Sequence, residues 1–172
     1  MENKVLKIIK SRVSCRAYNE KKVSLKKALE VAEAGKYAPS GKNRQIANIY
    51  VVNSKRYVEK LRTLSLNELN RDCMYGAKTI IIVGAPREDA FTDKDCSCIL
   101  ENMFLAAHAL KIDSCWINQF DDLFNTKNGL KVKKALGIPE DYKIVGSCIL
   151  GYAKDPESLQ VKDRKEDFVK VL

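Results

Sequence analysis

Lys78-Thr79-Ile80-Ile81-Ile82-Val83-Gly84 is the stretch that decides the architecture. Its apolar residues are consecutive rather than alternating, and most are β-branched. Such a run reads as a central strand covered on both faces. The covering helices are found on either side. Asp93 to Leu110 gives the longest, with Ile99, Met103, Ala106, Ala107 and Leu110 on a wide apolar face, and a helix apolar nearly all round is a buried one. Asn48 to Val52, Ser114 to Asn118 and Ile144 to Gly151 read as further strands. Val5, Leu6, Ile8 and Ile9 recur at helical spacing between Glu2 and Ser11. Ser24 serves as the N-cap of a helix with Leu25, Ala28, Leu29 and Ala32 on one face, ended by Gly35. Ser54 caps a short helix to about Leu64, and Asp121 caps one that stops at Leu136-Gly137-Ile138-Pro139. The alternation of elements predicts an α/β or α+β domain.

Composition narrows the classes. The chain has 172 residues, 45% hydrophobic and 31% charged, which predicts one globular domain over residues 1–172. No apolar run approaches the ~20 residues a membrane helix requires, and the N-terminus lacks an apolar signal core, so a cytoplasmic protein with no membrane partner is expected. His108 is the only histidine. That excludes a His-rich metal site, and its place on the long helix predicts a hydrogen-bonded residue rather than a general base. Six cysteines stand at 15, 73, 96, 98, 115 and 148 without a C-x-x-C pair. They are expected to be small buried hydrophobes, with no metal site. Trp116 is expected to pack near the sheet.

The net charge of +9 favours anionic partners. One reading is a solvated basic surface; a sharper one is a phosphate-bearing ligand. A basic nucleic-acid-binding module is a third, weakened by the absence of any basic stretch interleaved with aromatics, so no nucleic-acid partner is expected.

Three local constellations carry chemistry. In Arg12-Val13-Ser14-Cys15-Arg16-Ala17-Tyr18, the residues Arg12, Ser14 and Arg16 alternate, and in extended backbone alternate residues share a face. Two guanidinium forks and a hydroxyl then converge, matching phosphate oxygens. The loop Pro39-Ser40-Gly41-Lys42-Asn43-Arg44-Gln45 joins a helix to a strand and offers amides and hydroxyls that both donate and accept. Lys162-x-Arg164-Lys165 is a late basic run whose plain reading is a solvated face. The tail beyond it ends in Phe168, Val169, Val171 and Leu172, an apolar ending that is expected to dock.

In order and spacing these constellations resemble the nitroreductase-like FMN-dependent oxidoreductase family over nearly the whole chain. The family opens with a basic residue, Ser, a basic residue and an aromatic, here Arg12, Ser14, Arg16 and Tyr18. Ala-Pro-Ser-x-x-Asn-x-Gln follows as Ala38, Pro39, Ser40, Asn43 and Gln45. The long helix with Leu105 to Leu110, then Ser114-Cys115-Trp116-Ile117, Leu136 to Pro139, Gly151-Tyr152 and Lys162-x-Arg164 keep the family's order. Two departures are Ile46-Ala47, where the family usually has Pro-Trp, and Lys111-Ile112-Asp113, where many members have Gly-x-Gly.

The resemblance implies an α+β fold, a central mixed or antiparallel sheet flanked by helices, in an intertwined homodimer with FMN at the interface. Arg12, Ser14 and Arg16 would hold the flavin phosphate and ribityl chain. Lys162 and Arg164 would reach the same phosphate from the tail. Pro39, Ser40 and Asn43 would contact the ring from the partner subunit, with Gln45 in the same cofactor-binding loop. The implied activity passes a hydride from NADH or NADPH through the flavin to an electron-poor small molecule such as a nitroaromatic or quinone, with no catalytic side chain. The alternative on the same fold is an FMN-binding protein without turnover, a sensor or carrier. The apolar tail would then pack on the other protomer. Larger relatives carry inserted helices over the site; their absence here implies an open site that takes bulky acceptors.

Overall fold

The structure is a computed structural model that describes residues 3–171. Met1, Glu2 and Leu172, and with them the first residue of the expected N-terminal helix and the last of the apolar tail, lie outside the described residues. Four strands form one sheet: β1 (Asn48–Val52), β2 (Thr79–Pro86), β3 (Asp113–Ile117) and β4 (Tyr142–Gly151), in the order β1-β2-β4-β3 with every pairing antiparallel. The fold is α+β. The run that was read as central is central: β2 lies between β1 and β4, and Thr79 to Ala85 are all buried.

Alternation along β2 divides the interior in two. Ile80 and Ile82 point into a core built with Val58, Leu61, Leu64, Met74, Phe120, Leu123 and Phe124. Ile81, Val83 and Ala85 point the other way, against Val31, Leu100, Met103 and Ala107. Helices α2 (Leu25–Gly35) and α4 (Thr92–Ala109) therefore cover one face. α3 (Lys55–Leu69) and α5 (Phe120–Phe124) cover the other. Each fully buried isoleucine stabilises this arrangement by about 1.5–3 kcal/mol.

Several local expectations are met. Ser24 caps α2 by accepting from the Lys27 amide. On α4, His108 Nε2 shares a 2.7 Å hydrogen bond with Ser11 Oγ, which ties α1 (Lys4–Ser11) to the long helix. Five of the six cysteines are buried; Cys98 is exposed. Trp116 is partly exposed and packs against Phe104, with ring centroids 5.9 Å apart, and across Gly146, where a Cβ would sit 2.7 Å from the indole.

Other expectations need correction. The helix after Ser54 continues to Leu69, where Asn70 takes a left-handed φ of 54° and closes it, and the Ser54 side chain makes no capping bond. The single helix expected from Asp121 to Leu136 is two. Thr126 accepts from the Gly129 amide and starts α6 (Lys127–Ala135) afresh. Asp121 sits inside α5, where it pairs with Arg87 and accepts the Ile144 amide. The tail carries two 3-10 turns, η1 (Pro156–Ser158) and η2 (Glu166–Phe168). Its apolar end does not dock on its own chain: Phe168, Val169 and Val171 are 82%, 77% and 94% exposed.

Candidate functional site

The segment leaving α1 is stitched to the sheet from both sides. Cys15 donates its amide to the Ser114 carbonyl at 2.9 Å, a parallel bridge that covers the outer edge of β3. Four residues on, Asn19 donates to the Tyr152 carbonyl and Lys154 donates to the Ala17 carbonyl, so the same segment runs antiparallel to the chain leaving β4. Cys15 and Tyr18 face the interior. Arg12 and Ser14 are half-buried and Arg16 is exposed. Gly151 makes this possible: a Cβ there would lie 2.4 Å from the Tyr18 ring.

Arg12, Ser14 and Arg16 line one cleft of about 240 Å³, together with Val13, Gln160, Lys162 and Arg164. Opposite ends of the chain thus supply a single site. Leu159, partly buried against the core, turns the tail back across the arm. Arg12 Nη1 donates to Ser14 Oγ at 3.5 Å, and its guanidinium lies 6.0 Å over the Phe104 ring. Among the described residues none of Arg12, Arg16, Lys162 and Arg164 has a carboxylate partner, although nine ion pairs form elsewhere on the chain. Four cations without carboxylate partners around a cleft, with a serine hydroxyl among them, are chemically suited to a polyanion such as a phosphate monoester.

The cysteines on the arm and on the neighbouring strands are buried. Burial pushes the thiols of Cys15, Cys115 and Cys148 up, against an opposing pull on Cys115 from Arg16, Ser14 and Arg12. A raised thiol stays protonated at neutral pH, so these cysteines add no negative charge beside the cations.

The second predicted constellation forms a separate cleft of about 180 Å³. Pro39, Ser40 and Gln45 line it with Ala38, Ile46, Ala47, Ile49, Ile99 and Asp95. Asn43 is exposed and does not line it; its Oδ1 accepts from Gln45 Nε2 at 3.1 Å. The loop is held in an uncommon backbone path, with Lys42, Asn43 and Gln45 at φ of 55°, 54° and 50°. Ser40 Oγ accepts the Gln45 amide, Arg44 pairs with Asp89 at 2.7 Å, and Asp95 Oδ1 accepts the Gly41 amide at 2.9 Å. The two clefts share no lining residue within the chain.

Sequence reasoning missed Gln160 and Asp95. The available signal for Asp95 was one of two acids, Asp93 and Asp95, in the first turn of the long helix. Among the described residues no cluster could hold a metal ion, and no helix is long and apolar enough to cross a membrane.

A family model described as "Nitroreductase family" matches residues 9–152. A relative from Archaeoglobus fulgidus, named "Putative NADH dehydrogenase/NAD(P)H nitroreductase", is 26% identical over 163 residues, covering 92% of this chain and 90% of its own. The crystal structure of a nitroreductase with bound FMN from Bacteroides fragilis superposes with a TM-score of 0.90 at 31% identity, covering 99% of this chain and 100% of its own. A second FMN-bound nitroreductase, from Desulfitobacterium hafniense, gives a TM-score of 0.86 at 28% identity with both chains fully covered. With the family model covering most of its length and the fold shared end to end, the chain belongs to the nitroreductase family.

Proposed function

We propose that the chain is a single FMN-binding domain over residues 1–172. It acts as a homodimeric oxidoreductase, with NADH or NADPH as electron donor and an electron-poor small molecule such as a nitroaromatic or quinone as acceptor. The observation that carries this reading is the cleft where Arg12, Ser14, Arg16, Lys162 and Arg164 meet without a carboxylate among their partners. The donor set fits a flavin monophosphate. Guanidinium forks and an ammonium neutralise the dianion, and the Ser14 hydroxyl adds a directional bond. The FMN named in both structural relatives agrees with that fit.

In this reading Arg12, Ser14 and Arg16 hold the phosphate and ribityl chain, and Lys162 and Arg164 close over the phosphate. Pro39, Ser40, Asn43 and Gln45 approach the ring from the partner subunit. That division suits a chain whose two clefts have no residue in common. When bound, FMN would supply two-electron hydride chemistry between the nicotinamide and the acceptor. The chain's own residues bind and orient. The surplus positive charge favours an anionic ligand at every stage. No side chain at either cleft is required to move a proton.

The test is direct. The purified protein is expected to be yellow, to release FMN on denaturation, and to bleach when NADH or NADPH is added without oxygen. A colourless preparation that takes up no added FMN overturns the cofactor assignment. Bound FMN that neither nicotinamide reduces favours the sensor or carrier alternative.

A further inference from the structure

Beside the Ser40–Gln45 loop lies a charge that the proposed function leaves unused. Asp95 sits in the first turn of α4 and is 4% exposed. Its Oδ1 holds the Gly41 amide, while Oδ2 is buried without a hydrogen-bond partner among the described residues. A carboxylate oxygen kept from water and left unpaired destabilises the chain that carries it.

The loop that Asp95 holds is itself strained. Three non-glycine residues in one short stretch, Lys42, Asn43 and Gln45, have positive φ, a region that lysine and glutamine rarely adopt. Strain of this kind persists only where neighbours over-determine the backbone. The bonds from Gln45 to Ser40 and Asn43 are internal to the loop and move with it. The Arg44–Asp89 pair is partly exposed and weak for that reason. Gly41 is pressed against Phe91 so closely that a Cβ would sit 2.4 Å from the ring. Asp95 joins this loop to the buried face of the long helix, and its side chain forms a wall of the same cleft that Ser40 and Gln45 line.

We propose that Asp95 is a positioning residue, whose carboxylate holds the Gly41 amide and so fixes the Ser40–Gln45 loop in the strained conformation that presents Ser40, Asn43 and Gln45 to the bound flavin ring. The inference rests on the function proposed above. It assigns Asp95 no contact with the reacting atoms. A loop freed from Gly41 relaxes toward negative φ and turns its amides away from the ring.

The experiment compares Asp95→Asn and Asp95→Leu with the wild type, using FMN as the probe. Asparagine keeps an acceptor for Gly41 and replaces the unpaired oxygen with an amide; leucine removes the acceptor. Three readings are taken: the FMN dissociation constant, the visible spectrum of the bound flavin, and the single-turnover rate of its reduction by a nicotinamide. The phosphate cleft does not include Asp95, so Asp95→Leu is expected to keep most of its FMN affinity. Its bound-flavin spectrum is expected to shift and its reduction rate to fall about tenfold to a hundredfold, the range for a misplaced contact. Asp95→Asn is expected to restore both. Wild-type spectrum and reduction rate in Asp95→Leu overturn the proposal. Where leucine prevents folding, Asp95→Ser, too short to reach Gly41, replaces it. Failure of both to fold assigns Asp95 to stability alone and also overturns the proposal. A wild-type protein that binds no FMN is a different result, which removes the function and the positioning role together.

Discussion

Arg12 and Arg16 share a face of the arm, yet their surroundings differ. Arg12 is half-buried above the Phe104 ring, whereas Arg16 stands in solvent. A hydrogen bond to a charged group contributes about 1.5–3 kcal/mol, less where water competes. Arg16→Gln is therefore expected to weaken FMN binding by about tenfold, measured by titration of the apoprotein, and an unchanged affinity would remove Arg16 from the site. The thiols give a prediction with a definite sign. Burial raises Cys15, Cys73, Cys96, Cys115 and Cys148, with Cys96 pushed up to about 12. A raised value means less thiolate at any pH below it, and thiolate is the reactive form. At pH 8 these five should resist alkylation in the folded protein, leaving Cys98 as the reactive thiol, and all six should react in denaturant; mass spectrometry of labelled peptides distinguishes them. More than one fast thiol in the native state would contradict the burial. The arginine pair was legible because alternation in an extended chain is a geometric rule. Asp95 was not, since its partner is a backbone amide 54 positions away. Nor was the loop strain, because no glycine marks positions 42, 43 and 45.

At the scale of elements, the arm between α1 and α2 has its position fixed by a glycine it does not contain. Tyr18 lies over Gly151, and a methyl group there would meet the ring at 2.4 Å. Gly151→Ala is expected to displace Tyr18, loosen the bridge from Tyr18 to Ala153, and cost about 1–3 kcal/mol in a denaturant melt. FMN affinity should fall with it, because Arg16 is two residues from Tyr18 on the same arm. An alanine variant of wild-type stability would show that the ring is free to move aside. Strands were the most legible elements: β1 was read to its end residues, and β2 and β4 to within a few. Helix ends were less so. The apolar pattern lapses between Phe124 and Leu130, where Asn125-Thr126-Lys127-Asn128-Gly129 offers a cap and a breaker, but it does not show that Gly129 must pass the Leu123 carbonyl at a distance where a Cβ would sit 1.7 Å away. That close approach, with Thr126 as a fresh cap, breaks one expected helix into α5 and α6.

Across the whole molecule, two of the exposed apolar surfaces among the described residues lie on elements next to the proposed site. α1 has no buried residue, and Val5, Leu6 and Ile9 are all exposed. The tail that brings Lys162 and Arg164 to the cleft ends in exposed Phe168, Val169 and Val171. Exposed apolar surface on this scale marks an interface. The pattern on α1 was plain in the sequence as an apolar stripe; what it covers was not, because periodicity identifies a buried face without naming the surface that buries it. If a second copy covers both, light scattering should give about twice the 19.4 kDa chain mass. The double variant Leu6→Asp, Ile9→Asp should then be monomeric. Its basic cleft belongs to one chain and would survive, but on the proposed reading the Ser40–Gln45 loop of a partner would be missing. FMN should bind more weakly and its visible spectrum should approach that of free flavin. A monomer that keeps wild-type affinity and spectrum would mean that one chain completes the site by itself, and the loop contacts assigned to a partner would have to be made within the same protomer.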